Sequence, residues 1–302
     1  MYYYSLNEYL KTTFGEKVYK ISLNGKMTCP NRDGKIDTRG CIFCSRGGSG
    51  EFSADCLLSV TEQIEQAKQR IKAKTDCRKF IAYFQPFTNT YASVDYLRKI
   101  FYEAIHIDEI VALSIATRPD CLPDDVVSLL DELNKIKPVW VELGLQSIHT
   151  KTAEYIRRGY DLDVYDEAVR KLRKINVNII THLIIGLPNE STEMILKSVK
   201  YAGERSDGVK LQLLHVLKNT DLCDEYEAHK FKTLSLEEYC EILGNCIEVL
   251  PENVVIHRLT GDGDKKILVA PMWSADKKRV LNTINKYLRD NNITQGKKIN
   301  EI

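Results

Sequence analysis

No run of about 20 apolar residues occurs anywhere in the 302-residue chain, which excludes a hydrophobic membrane-spanning helix. The start, MYYYSLNEYLK, lacks the charged-then-apolar order of a secretory signal, so the chain is expected to stay in the cytosol, off the membrane. An excess of one charge is missing too. With 43 Lys and Arg against 42 Asp and Glu the net charge is +1, and no global field draws the protein toward nucleic acid or lipid. Low-complexity linkers and signature repeats are absent, leaving one large domain with small appendages. Cysteine is not scarce, but its nine copies are an odd number without an export signal, so thiols and metal ligands are expected in place of a disulfide framework.

Three of those cysteines lie in CPNRDGKIDTRGCIFC, residues 29–44, spaced Cys29-x11-Cys41-x2-Cys44. A Cys-x-x-Cys pair sets two thiolates on one metal or cluster, and the looped Cys29 adds a third. Structural zinc closes its shell with four protein ligands, whereas an iron-sulfur cluster held by three leaves one iron open. Gly34, Gly40 and the basic pair Arg32 and Arg39 suit a backbone wrapped around an anionic cluster. Downstream, Gly47, Gly48 and Gly50 form a turn that can admit a ligand close to the backbone or be a plain turn.

Hydrophobic periodicity alternates strand and helix. Strands are expected at residues 18–23, 79–84, 110–116, 139–145, 178–185 and 208–215, and helices at 57–74, 94–105, 124–134, 165–174, 192–204 and 236–250. Six strands separated by helices imply a parallel sheet curled into a partial (β/α)6 barrel. Its expected limits are 18–234, with an N-terminal extension at 1–17 packed on the barrel mouth or side and a helical and basic extension at 235–302. Tyr2, Tyr3, Tyr4 and Tyr9 serve packing or, less simply, stacking on RNA. From Asp264 to Ile302 there are nine Lys or Arg against four Asp or Glu, a local net of +5. Lys277 and its basic neighbours there meet phosphates or form a solvated face. Cys240-x5-Cys246 lacks the close third partner that a second cluster needs and reads as core.

The cluster loop, together with YFQPFTNTYA, TRPDCLPD, VELGLQS and HLIIGLP, resembles the radical S-adenosylmethionine enzymes, in a widened variant close to the branch of the Elongator catalytic subunit. The likeness runs from Ser5 to about Trp273. It implies that Cys29, Cys41 and Cys44 bind a 4Fe-4S cluster whose open iron takes S-adenosylmethionine. One electron then yields methionine and a 5′-deoxyadenosyl radical that removes hydrogen from the substrate.

The resemblance also assigns the strand ends, with departures. The glycine-rich motif of relatives after the second strand is absent, so Gln85 and Asn89 carry only a loose cofactor-or-substrate role. A glutamate of the Elongator branch is replaced by Ala116, and Arg118, oriented by Asp120, is offered for the cofactor carboxylate or a substrate anion. Glu142, Gln146 and Ser147 are expected near the ribose and methionine parts of the cofactor. Arg158, with Arg157 competing, is expected at its carboxylate, and Gly186 at adenine. His182 stands where some relatives use an aspartate, and His215 shares its ambiguity between ligand contact and core. His257 and Arg258, in VVIHRLTG, join the substrate candidates.

Members resembling this chain are implicated in maturing position 5 of the tRNA wobble uridine, converting carboxymethylaminomethyl to aminomethyl before a separate methyltransferase acts. At this length there is no room for the acetyltransferase domain of the Elongator branch, so loss of a group is expected over two-carbon addition. The implied partners are tRNA and an electron donor such as flavodoxin or ferredoxin. Two rival readings are a radical enzyme for a small metabolite or peptide, and a non-catalytic zinc module.

Overall fold

The apolar alternation of the strands and the serine-led starts of the helices are what the computed structural model builds on. It describes residues 2–48, 54–72, 75–261 and 263–301. Gly50, one of the turn glycines, and the end of the helix expected at 57–74 lie outside the described residues.

The strands are β1 (Val18–Leu23), β2 (Lys79–Phe84), β3 (Ile110–Thr117), β4 (Val139–Gln146), β5 (Asn178–Ile185), β6 (Gly208–Leu213), β7 (Val216–Leu217), β8 (Val255–Arg258) and β9 (Leu268–Ala270). The helices are α1 (Leu6–Phe14), α2 (Val60–Lys72), α3 (Val94–Ile105), α4 (Asp124–Asn134), α5 (Thr150–Tyr155), α6 (Leu162–Lys174), α7 (Thr192–Gly203), α8 (Asp221–Glu227), α9 (Leu236–Val249) and α10 (Lys277–Asp290). The six expected strands form in sequence order, and a seventh, β8, adds parallel to β6, giving the order β1-β2-β3-β4-β5-β6-β8. The C-terminal region therefore extends the sheet itself as well as packing on it. β7 and β9 form a small antiparallel ladder beside it.

Caps explain several helix boundaries. Ser5 accepts from the Glu8 amide to start α1, and Gly15, at φ 76°, ends it in the left-handed region that glycine enters without strain. Ser235 and Glu238 form a reciprocal capping box that starts α9. α10 gives bounds to the second helix of the helical and basic extension expected at 235–302. Its Val280, Ile284 and Leu288, four residues apart, bury one apolar stripe, and the helix packs on α9, leaving the basic residues on the other face.

Strand side chains alternate between two environments. One set, including Phe80, Leu113, Val141, Leu183 and Leu211, packs under the helices in the main core. The other faces the barrel interior. At its amino-terminal end Val18, Ile81, Ala112, Trp140 and Ile180 form an apolar layer that is capped by Leu10, with Leu6, Tyr9 and Phe14 of α1 around it. The Tyr9 ring meets Trp140 edge-on at 5.9 Å, and Tyr4 meets Tyr9 at 6.3 Å. The N-terminal extension thus closes the barrel floor instead of sitting at the mouth or side, and its tyrosines are packing residues. Just upstream, Ser5 bridges to Ile256 of β8, whose amide donates to Tyr4 O at 2.8 Å.

Trp140 is the largest of the fully buried side chains. Trp140→Ala is expected to lower unfolding free energy by about 3–5 kcal/mol through the cavity it leaves. A denaturant melt that keeps its slope while the midpoint falls would show it.

Candidate functional site

Leaving β1, the chain turns at once into the cysteine loop. Cys29 O accepts from the amides of Arg32 and Asp33, and the Cys44 amide returns to Cys41 O at 3.0 Å, so each cysteine sits on a tight turn. Asn31 is buried and donates through Nδ2 to Arg157 O at 2.7 Å and Arg158 O at 3.3 Å, with Cys41 Sγ at 3.5 Å. That side chain ties the loop to the segment after α5. Gly40 has φ 79°, and a Cβ there would lie 2.9 Å from Arg32 Nε, so this turn needs glycine. The basic pair divides: Arg32 lines the cavity but donates to Cys44 O and Ser45 O, while Arg39 is exposed toward Asp37 and Asp221.

All three thiols line one cavity of about 260 Å³ at the carboxyl ends of the strands. Burial, then the neighbouring Cys44, pushes the Cys41 thiol up to about 12, opposed by Arg118. Three soft sulfur donors crowded at such a mouth call for a thiophilic cationic group. Among the described residues, no three His, Cys, Asp or Glu side chains converge on a single-ion site.

The next layer down is polar, and Glu142 is its centre. This fully buried carboxylate receives Lys20 Nζ and Ser114 Oγ on Oε1 at 2.5 and 2.6 Å, and Lys210 Nζ and His182 Nε2 on Oε2, the latter at 2.7 Å. Lys210 also donates to Tyr83 Oη at 3.1 Å. Burial alone would raise the Glu142 carboxyl, but Lys20 and Lys210 hold it well below the usual range. Burial lowers Lys210 to about 7 and His182 to about 4, the latter helped by Lys210.

The strand-end candidates divide. Gln85, Arg118, Gln146, Arg158, His215 and Arg258 line the same cavity as the thiols, Glu142 and His182. Gln146 carries the clearest fit to a ligand: it is left-handed at φ 67°, and its buried Oε1 has no protein partner. Arg118 is held in a two-pronged pair with Asp120 at 2.8 and 2.9 Å, so Asp120 does orient it, from outside the cavity. Arg158 donates to the carbonyls of Leu145, Ser147 and Tyr160, whereas Arg157 turns to Asp221.

Five other candidates stand elsewhere, each for a local reason. Asn89 braces its own turn by donating to Pro86 O and Ala116 O. Ser147 is buried and donates to Glu190. Gly186, at φ 91°, makes room for Leu234, since a Cβ would lie 3.0 Å from its Cδ1. His257 lies below the floor with its ring against Trp140 at 5.4 Å. Lys277 is exposed at the start of α10. Cys240 and Cys246 are core residues of α9. Sequence reasoning missed Asn31, Lys20, Tyr83 and Lys210. For the lysines a signal existed: each stands mid-strand in an apolar run, VYKISL and GVKLQL, where burial is unfavourable without a partner.

A parallel half-barrel carrying three cysteines at its carboxyl mouth, above a polar interior, defines the class of enzymes that run radical chemistry from an iron-sulfur cluster and S-adenosylmethionine. The chain belongs to the Radical SAM superfamily, which it matches over residues 38–202, followed by a Radical_SAM C-terminal domain over 206–290. The cofactors of that family are a 4Fe-4S cluster and S-adenosylmethionine. Uncharacterized protein YtqA of Bacillus subtilis is 44% identical over 98% of this chain and 92% of its own length. The tRNA uridine(34) acetyltransferase of Methanocaldococcus jannaschii is 28% identical over 59% of this chain, but over only 33% of that longer enzyme. In fold, the chain is similar to archaeal Elp3 of Methanocaldococcus infernus, with TM-score 0.66, 18% identity, and coverage of 92% of this chain and 64% of that one. Among the described residues no helix is long and apolar enough to cross a membrane.

Proposed function

We propose that this radical S-adenosylmethionine enzyme acts on the wobble uridine of tRNA, converting a carboxymethylaminomethyl group at position 5 to aminomethyl. Removal of a hydrogen atom from the carboxymethyl carbon by the cofactor-derived radical, and of one further electron returned to the cluster, would leave an imine; water would hydrolyse its carbon–nitrogen bond, releasing glyoxylate and leaving the amine on the nucleoside. What carries the reading is sequence kinship to an enzyme whose name specifies tRNA uridine 34, over 182 residues of this chain.

Cys29, Cys41 and Cys44 would hold the cluster; Gln85, Gln146, Arg118 and Arg158 would meet S-adenosylmethionine. When bound, the two cofactors supply hydrogen abstraction from an unactivated carbon. The chain's part is to orient and to exclude water. Gln146 offers its unpartnered Oε1 as an acceptor, the Arg118–Asp120 pair presents a fixed cation at the rim, and the apolar layer under α1 keeps the lower end dry.

Nucleoside mass spectrometry of total tRNA from cells with and without the gene tests the substrate. Carboxymethylaminomethyl-uridine forms should accumulate in the deletion and disappear on restoring the intact gene, but not the Cys41→Ala variant. An unchanged nucleoside profile would remove tRNA as the substrate and turn the search to metabolites and peptides.

A further inference from the structure

The deepest polar layer of the cavity sets Lys210 against Glu142, and Lys20, outside the lining, reaches the same carboxylate. Glu142 is the one acidic side chain among the described lining residues, and both Lys20 and Lys210 converge on it. The rim arginines are turned to protein groups, Arg118 to Asp120 and Arg158 to carbonyl oxygens. The lysine layer differs, because Lys20, Lys210 and the nearby Arg258 share the single carboxylate Glu142. Burying positive charge is costly without a counterion. Glu142 also lies four residues before Gln146 on β4, about 13 Å deeper along an extended strand at about 3.3 Å per residue. The layer is therefore well below the strand ends where the cofactor contacts are proposed.

We propose that Lys210, held together with Lys20 on Glu142, seats a carboxylate of the substrate on the cavity floor. Lys20, Lys210 and the lining Arg258 outnumber Glu142, so the layer favours an arriving anion. Lys20 Nζ lies 4.5 Å and Lys210 Nζ 4.6 Å from the centre of the same Tyr83 ring, so the two ammonium groups flank one spot. The depressed Lys210 ammonium is a further consequence of the missing counterion, since burial and Lys20 weaken it and an arriving anion restores it. This inference deepens the wobble-uridine reading and rests on it, because the side chain to be shortened ends in a carboxylate. It also assigns the specificity: the acid would be distinguished from neutral or already shortened side chains by the floor.

The test uses the full chain loaded with cluster and S-adenosylmethionine, under anaerobic conditions, and two nucleoside probes, 5-carboxymethylaminomethyluridine and its carboxamide. Titration calorimetry should give the acid at least about tenfold tighter binding than the amide, the size expected for a hydrogen bond to a charged group. Lys210→Gln should bring the acid down to the amide, Lys210→Arg should keep most of the preference, and S-adenosylmethionine affinity should be unchanged in both. Equal binding of acid and amide by the unaltered protein would overturn the proposal without any question of misfolding. So would a fall in S-adenosylmethionine affinity parallel to that for the acid, which would assign the lysines to the cofactor. N-acetylglycine and its amide separate this idea from the wobble reading. Acid preference with these probes, alongside an unchanged tRNA profile in the deletion, would keep the floor and discard tRNA. A changed tRNA profile with no acid preference in either probe pair would discard the floor alone.

Discussion

Alanine at any one of Cys29, Cys41 or Cys44 is expected to reduce cleavage of S-adenosylmethionine to background. The three thiols line one cavity mouth, and Cys41 is pushed upward by burial and by its neighbours, as a set awaiting a shared cationic group would be. If these three thiols are the protein ligands, as proposed, losing one leaves two, and neither the turn at Cys29 nor the Cys41–Cys44 turn supplies a spare sulfur donor. The reconstituted variants should lack the brown chromophore of the parent and yield no 5′-deoxyadenosine by chromatography. Cys56→Ala, at a cysteine that does not line the cavity, serves as the control and should cleave normally. Retained cleavage in all three loop variants would sink the assignment of these cysteines.

Removing Glu142 is expected to have the largest effect on stability. Glu142→Ala strands the buried Lys210 and the half-buried Lys20, and breaking a buried pair from one side lowers stability by about 3–5 kcal/mol. Adding Lys210→Met to Glu142→Ala should recover part of that loss, because the second change removes one of the stranded charges. A denaturant series on both variants measures the recovery, and a double variant less stable than Glu142→Ala would contradict the charge account.

The same layer sets an acid limit. Glu142 is held below its ordinary range in the fold, so its contribution is present above about pH 4.5 and is lost as pH falls through the folded value. His182 is lowered from 6.5 to about 4, so the fold favours the neutral ring. Between those two values the unfolded chain binds the extra proton, and stability falls as pH drops. Both groups act in the same direction. The His182 shift corresponds to about 3 kcal/mol lost on acidification from above 6.5 to below 4, by the handling of about 1.4 kcal/mol per unit. His182→Asn should flatten the stability profile in that window when melts are compared across pH.

The alternation of strands and helices was legible because each apolar run is bounded by caps or turns, and strands such as 178–185 fall where periodicity puts them. β8 escaped notice because four residues, VIHR, carry too little period to separate strand from loop, and only the β6 edge gives them a partner. The candidate site was legible where chemistry is concentrated in sequence, as in the cysteine loop. It was not legible where it is dispersed. Glu142 stood out as an acid in an apolar strand, but Lys20 and Lys210 lie 122 and 68 residues from it, and the sheet order brings them together. Gly186 and His257 stand outside the cavity lining for local reasons, since Leu234 packs on the first and Trp140 on the second.

The bridge from Ser5 to Ile256 has a bearing on how the molecule behaves in company. The sheet does not close on itself, so β1 and β8 are edge strands with backbone donors and acceptors directed sideways. Such edges invite pairing with another chain, and proteins blunt them by covering or shortening them. Here the strand is four residues long, and Tyr4 and Ser5 lie along it as α1 begins. The first few residues thereby cover that edge, and a chain trimmed at its start would leave the backbone groups of β8 bare on that side.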